Sequence, residues 1–222
     1  VLAVAVVVLV LAAVVGPRIY ADVQSDNAAA PLVTAGATPS VTATGASTDA
    51  SLNGGWTITA GTAGYRVDEV LNGQNVTVTG RTEQVGGDLT VADGELTGGT
   101  VSVDLASVAT DSGQRDNQFR GQVMDVEQYP SADFAITQPV PLGGLEVGST
   151  ISVDLVGTMT LKGTTHEVTI PATVERSAED TVTVTGSLPL TWSDYGVQAP
   201  NLGFVSVEDA GTIEFSVTAN PS

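Results

Sequence analysis

The sequence predicts a mainly β fold of about eight antiparallel strands with one short helix, and three observations carry that reading. From Trp56 onward, apolar and polar residues alternate in one segment after another. Val76 and Val78 alternate with Thr77 and Thr79; Ile151, Val153 and Leu155 with Ser152 and Asp154; Val182 and Val184 with Thr181, Thr183 and Thr185; Ile213, Phe215 and Val217 with Glu214, Ser216 and Thr218. Successive strand side chains point to opposite faces, so each segment has one apolar and one solvated side, as antiparallel strands do. Turn formers separate the segments: Gly86-Gly87, Asp93-Gly94, Gly98-Gly99 and Gly143-Gly144. Only the stretch near Gly113–Met124 reads as helix. This pattern fits two architectures. One is a β-sandwich whose apolar faces pack together. The other is a closed barrel whose apolar faces line an interior; about eight strands suffice to hold one small ligand, and closure removes exposed edges.

Taken in order, the 222-residue chain opens on Val1–Val15, an unbroken apolar run followed by Gly16, Pro17 and Arg18. A membrane span needs about 20 residues. The chain starts at Val1 without Met, so the run is read as the end of a longer apolar segment. Val14–Tyr20 lacks the Ala-x-Ala pattern of a cleavable signal, and Ile19-Tyr20 suits the headgroup level of a bilayer. Residues 1–20 are therefore expected to form a retained, single-pass transmembrane helix, truncated at its start, with the C-terminal domain on the extracytoplasmic, periplasmic-type side of the cell membrane. Residues 21–53 are rich in Ala, Thr, Ser, Gly and Pro and show no periodicity. Such a segment cannot bury enough apolar surface to offset its ordering entropy and is expected to be a flexible linker, reaching about 30 Å as a coil. Residues 54–222 make up the β domain. Within it, Val101, Val103 and Leu105 alternate with Thr100, Ser102 and Asp104 and form a strand. Asp111 or Ser112 then caps the helix, because a side-chain oxygen there accepts the free amide hydrogens of its first turn.

Charge and composition exclude several functions. The net charge is −18, and beyond Asn53 the chain carries six basic against 22 acidic residues. Such a domain repels phosphate backbones and anionic headgroups, so nucleic acid is excluded as a partner and surface charge does not bring the domain to a membrane. There is no cysteine, hence no disulfide and no thiolate metal site. His166 is the only histidine, and as a residue just past a turn it reads as an exposed strand position. Asp68, Glu69, Asp88, Asp93, Asp180 and Asp209 are scattered beside turns without the spacing of a calcium loop. No base is placed for a nucleophile, and no glycine motif is followed by a helix and a phosphate-binding lysine. The protein is not expected to be an enzyme.

The stretch Thr110–Phe134 holds Arg115-Asp116, Arg120, Met124-Asp125-Val126, Tyr129-Pro130 and Phe134 at fixed offsets. Gly157–Ile170 contains a strand ending in a Leu161-Lys162-Gly163 turn that leads into the next strand. Later come Ser193-Asp194-Tyr195-Gly196 and Asn201-Leu202-Gly203-Phe204. In this order, over roughly Gly54–Ala219, these motifs resemble the YceI-like family of lipocalin-like, polyisoprenoid-binding barrels. The resemblance selects the barrel over the sandwich. It implies a bound isoprenoid lipid of polyprenyl, quinone or carotenoid type as ligand, and no catalytic cofactor.

On that reading, Val153, Leu155, Met159, Phe119, Phe134 and Phe215 are expected among the cavity walls, with Met124 suited to a flexible polyene. Phe119, Met124, Tyr129 and Phe134 either touch the ligand or pin the helix to the barrel. Arg115 and Asp116 either line the mouth and meet a headgroup, or form an ordinary helix start in which Asp111 pairs with Arg115 at i,i+4. The expected function is that of a membrane-anchored carrier or reservoir for an isoprenoid lipid. The alternative is an accessory subunit of a larger membrane complex, respiratory or lipid-handling, whose anchor docks integral membrane subunits and whose barrel is an interaction module. A free carrier would purify alone with lipid, and a subunit with stoichiometric partners.

Overall fold

Alternation at period two leaves a strand with one apolar face, and a sheet of such strands buries that face either against a second sheet or by closing on itself. The computed structural model, which describes residues 28–33, 41–42, 52–71, 73–201 and 205–222, shows that closure. The strands among the described residues are β1 (Val41–Thr42), β2 (Gly54–Leu71), β3 (Gln74–Thr82), β4 (Val85–Ala92), β5 (Glu95–Asp104), β6 (Ser131–Ile136), β7 (Val140–Pro141), β8 (Ser149–Leu161), β9 (Thr164–Ala178), β10 (Thr181–Thr191) and β11 (Val205–Pro221). Eight of them run in the order β8-β6-β5-β4-β2-β11-β10-β9, and pairing of β9 with β8 shuts the barrel. Every pairing on this ring is antiparallel. The ring is therefore the barrel, not the sandwich that the period alone allowed.

The strand β2 is long enough to serve two neighbours on one edge: residues 54–57 pair with β4, and residues 63–71 pair with β3. The predicted strand ending at Leu105 stops one residue earlier. The Asp104 carboxylate accepts from Ala106 N at 2.9 Å and turns the chain into a 3-10 turn at Leu105–Ser107. The predicted helix is present in two parts. Helix α1 (Gly113–Gln118) is capped by Ser112, whose Oγ accepts from Arg115 N, and a π-helical turn over Phe119–Val123 continues it. In that turn Met124 N donates to Phe119 O, five residues back. Lys162 and Gly163 have φ of 50° and 76° and make the tight β8–β9 hairpin expected at Leu161-Lys162-Gly163.

One end of the barrel is filled by Leu52, Trp56, Leu142, Leu145 and Ile151, none more than 6 % exposed. Trp56 Nε1 donates to Leu52 O at 2.9 Å, so the indole is both packed and satisfied. Leu52 thus belongs to the barrel, two residues before the boundary drawn from composition. The other end is covered by α1 and its π-helical turn.

The described parts of residues 21–53 also touch the barrel. Ala29 N donates to Thr79 Oγ1 at 2.9 Å, and the Ala29 carbonyl accepts from Arg66 Nη2 at 2.5 Å. Leu32 N donates to Glu214 Oε2 at 3.3 Å. Glu214 lies between the inward-facing Ile213 and Phe215 and so points outward, yet it is only 4 % exposed. It is paired with Arg66 at 3.4 Å and with Arg81. Val41 and Thr42 pair parallel with Ile151 and Ser152 of β8. Composition marks these residues as a linker without a core of its own. It does not show that their backbone groups are partners for polar side chains on the barrel wall. The expected transmembrane helix, residues 1–20, lies outside the described residues. Among the described residues, no helix is long and apolar enough to cross a membrane.

Candidate functional site

Inward-facing side chains of a closed barrel need not meet in the middle, and here they do not. The interior holds a cavity of about 530 Å³ that runs from the Leu52–Trp56 end to the α1 end. Small-molecule sites span about 300–1,000 Å³, so this space is of ligand size. Its walls are overwhelmingly aliphatic and aromatic.

Of the residues expected at the wall, Val153, Leu155 and Met159 face inward on β8, Phe134 on β6 and Phe215 on β11, and all line the cavity. Phe119 and Met124 reach it from the helical cover, so they both touch the cavity and pin the cover to the barrel. Tyr129 does not line it; its ring packs beside Gly163 at the β8–β9 hairpin. His166 is exposed on β9, with Nε2 3.0 Å from Asp194 O and its ring edge-on to Tyr195 at 4.9 Å.

Arg115 and Asp116 part company. Arg115 lines the cavity. Its Nη1 donates to Asp111 at 2.6 Å, the predicted i,i+4 pair, and its Nη2 reaches Glu69 at 3.3 Å. Arg115 therefore completes the helix start and also faces the cavity. Asp116 is placed differently from the expectation. It is buried, but it does not line the cavity. Its Oδ1 accepts from Thr110 N at 2.8 Å and Thr110 Oγ1 at 2.7 Å, which fixes the loop entering α1. One helical position turns the side chain by about 100°, and from Arg115 that step carries Asp116 away from the cavity and toward Thr110.

Two polar residues at this end were not singled out from the sequence as site residues. Glu69, on β2, is 5 % exposed and lines the cavity beside Arg115. Tyr65, four residues earlier on the same face, stacks on Phe119 with centroids 5.4 Å apart and meets Trp192 edge-on at 6.2 Å. These rings fit because β-carbons are missing where they lie: a Cβ on Gly80 would collide with the Tyr65 ring, and one on Gly211 with Trp192. Burial, more than any neighbouring charge, pushes the Tyr65 phenol far above its usual range, so it stays a neutral hydroxyl. No hydrogen bond occupies that hydroxyl among the described residues. Ala63, Tyr65, Val67 and Glu69 share one strand parity, the signal that could have put Glu69 on the inner face.

The site is an apolar tube with a small polar end. Among the described residues no group of His, Cys, Asp and Glu is arranged to hold a metal ion. Residues 56–219 match the family model described as a YceI-like domain. Among solved structures, the chain is similar to a polyisoprenoid binding domain from Saccharophagus degradans implicated in plant cell wall breakdown. The TM-score is 0.63 at 20% identity, over 75% of this chain and 98% of that one. It is also similar to BcnA from Burkholderia cenocepacia, with a TM-score of 0.55 at 24% identity, over 69% and 95% of the two chains. At these identities the likeness is one of fold. No curated protein matches the chain.

Proposed function

The chain belongs to the YceI-like domain family, and from that premise we propose that it binds a long isoprenoid lipid inside the barrel. The observation that carries the reading is the 530 Å³ cavity walled by the inner faces of the strands. Such a cavity offers an apolar chain burial worth about 0.8 kcal/mol per methylene relative to water. A bilayer solvates the same chain about as well, so net transfer out of a membrane is near balance. That energetic balance suits reversible loading and unloading, as in a carrier or reservoir. The Saccharophagus degradans domain, named for polyisoprenoid binding, supports the same ligand class.

The apolar run Val1–Val15 with Ile19-Tyr20 behind it supports a membrane tether at the N-terminus, with the barrel on the extracytoplasmic side. Tethering keeps the barrel at high local concentration near its ligand. The reading is of a binding protein rather than a catalyst, since the cavity wall contributes charged groups only at one end.

Transfer of a fluorescent polyprenyl probe tests the reading. Probe in quenched vesicles should gain fluorescence when the purified protein is added, saturating at one probe per barrel. Absence of transfer from vesicles, together with absence of uptake from water, overturns it.

A further inference from the structure

The polar end of the cavity has a definite electrostatic character. Arg115 is the one cation on the wall among the described residues, with Glu69 beside it on the same wall. Its guanidinium is already engaged by Asp111 at 2.6 Å and Glu69 at 3.3 Å. The other cations near this end are turned away from the cavity. Arg120 Nη1 lies 3.4 Å from Val108 O and 3.5 Å from Ala106 O, and Lys162 Nζ donates to Val123 O at 2.7 Å. Asp116 adds a further buried carboxylate just behind the wall. An anionic head entering here meets more negative than positive charge in a water-poor space, where repulsion is much stronger than in water. Its own desolvation would go uncompensated. The Tyr65 hydroxyl is the opposite case: a neutral donor on a ring that lines the cavity and is held by Phe119 and Trp192, with no partner among the described residues.

We propose that this end selects a neutral isoprenoid head bearing an acceptor oxygen, such as a carbonyl, ether or alcohol, with Tyr65 as donor, and rejects phosphorylated or carboxylated heads. The proposal rests on the lipid-binding reading and narrows it. The Glu69–Arg115 pair is then a positioning device: it neutralises the arginine so that it does not recruit phosphate.

Geranylgeraniol and geranylgeranyl phosphate have the same chain and differ only in the head, so they separate the two ideas. Each is titrated into the full protein in competition with an apolar fluorescent dye, at low salt. The alcohol should bind at least about tenfold more tightly than the phosphate. Glu69→Gln, which frees the arginine, should shrink that ratio by raising phosphate affinity. Tyr65→Phe should weaken the alcohol several-fold more than it weakens squalene, a chain with no head, a difference on the order of one hydrogen bond. If the alcohol binds and the phosphate binds equally or better, the selectivity is refuted while lipid binding stands. If neither alcohol nor squalene displaces the dye, both readings fall. The wild-type comparison needs no variant, so a misfolded mutant cannot shelter the proposal.

Discussion

Replacing Leu155 with tryptophan separates a ligand cavity from a packed core. Leu155 is 6 % exposed, sits mid-way along β8 opposite Ile170, and lines the cavity. In a solid interior the added ring would force neighbours off their rotamers, at about 1–3 kcal/mol. For a domain of this size that lowers the melting temperature by roughly 2–10 °C. Here 530 Å³ of empty space lies in front of the side chain, and the indole can occupy it without displacing a neighbour. The expected melting temperature of Leu155→Trp is therefore within about 2 °C of wild type, or higher, because filled void no longer carries its cost of about 24 cal/mol per Å³. The ligand is affected instead. An indole that excludes one five-carbon unit removes about 4 kcal/mol of burial relative to water, close to three orders of magnitude in affinity. Thermal unfolding by circular dichroism and dye competition on the same sample read both quantities. A variant that unfolds while retaining its lipid would refute the reasoning, since the interior would then be a packed core.

Three further outcomes follow from the same geometry. Val153→Asp places an unpaired charge on the inner wall and should lower stability by about 3 kcal/mol or more and abolish lipid uptake, whereas Ser152→Asp on the outer face should do neither; chemical denaturation of the pair decides it. Glu214→Ala leaves Arg66 and Arg81 facing each other beneath residues 28–33 and should cost about 3 kcal/mol, with amide exchange at Leu32 accelerated; a neutral substitution would show that solvent already screens the cluster. Because burial raises the Tyr65 phenol in the folded state, the unfolded chain ionises first, so its contribution is full below pH 10 and is lost as pH rises further, with a slope of up to about 1.4 kcal/mol per pH unit. Denaturant titrations should show Tyr65→Phe with a shallower alkaline decline, the remainder coming from Tyr195, which burial raises as well.

The inner wall was legible wherever alternation was clean. On β8 and β11, Val153, Leu155 and Phe215 could be assigned to one face because every second residue between them was polar. Closure was not legible from that period, since β8 meeting β9 along thirteen residue pairs is a fact of register and twist, not of any single strand. The resemblance of the Arg115–Phe134 and Leu161-Lys162-Gly163 motifs supplied it. The polar end was half legible. Arg115 stood out beside Asp111 at helical spacing, and its neighbour Asp116 was carried along with it although the helix turns it away. Glu69 was obscured because β2 runs through Gly61, Ala63 and Gly64, small residues that weaken the apolar signal before Tyr65 and Val67. Its reading as a surface acid beside a turn followed. Glu214 shows a different limit: the strand period correctly put it outside, but burial there comes from residues 28–33, whose composition carries no folding signal.

Whether the barrel carries an isoprenoid lipid within its walls can be read from the purified protein itself. Native mass spectrometry of the protein purified in mild detergent, followed by solvent extraction and identification of what dissociates, answers it. The expected result is one neutral isoprenoid per chain, released from wild type and missing from Leu155→Trp. Recovery of the barrel empty, with no uptake when geranylgeraniol or squalene is supplied, would contradict it.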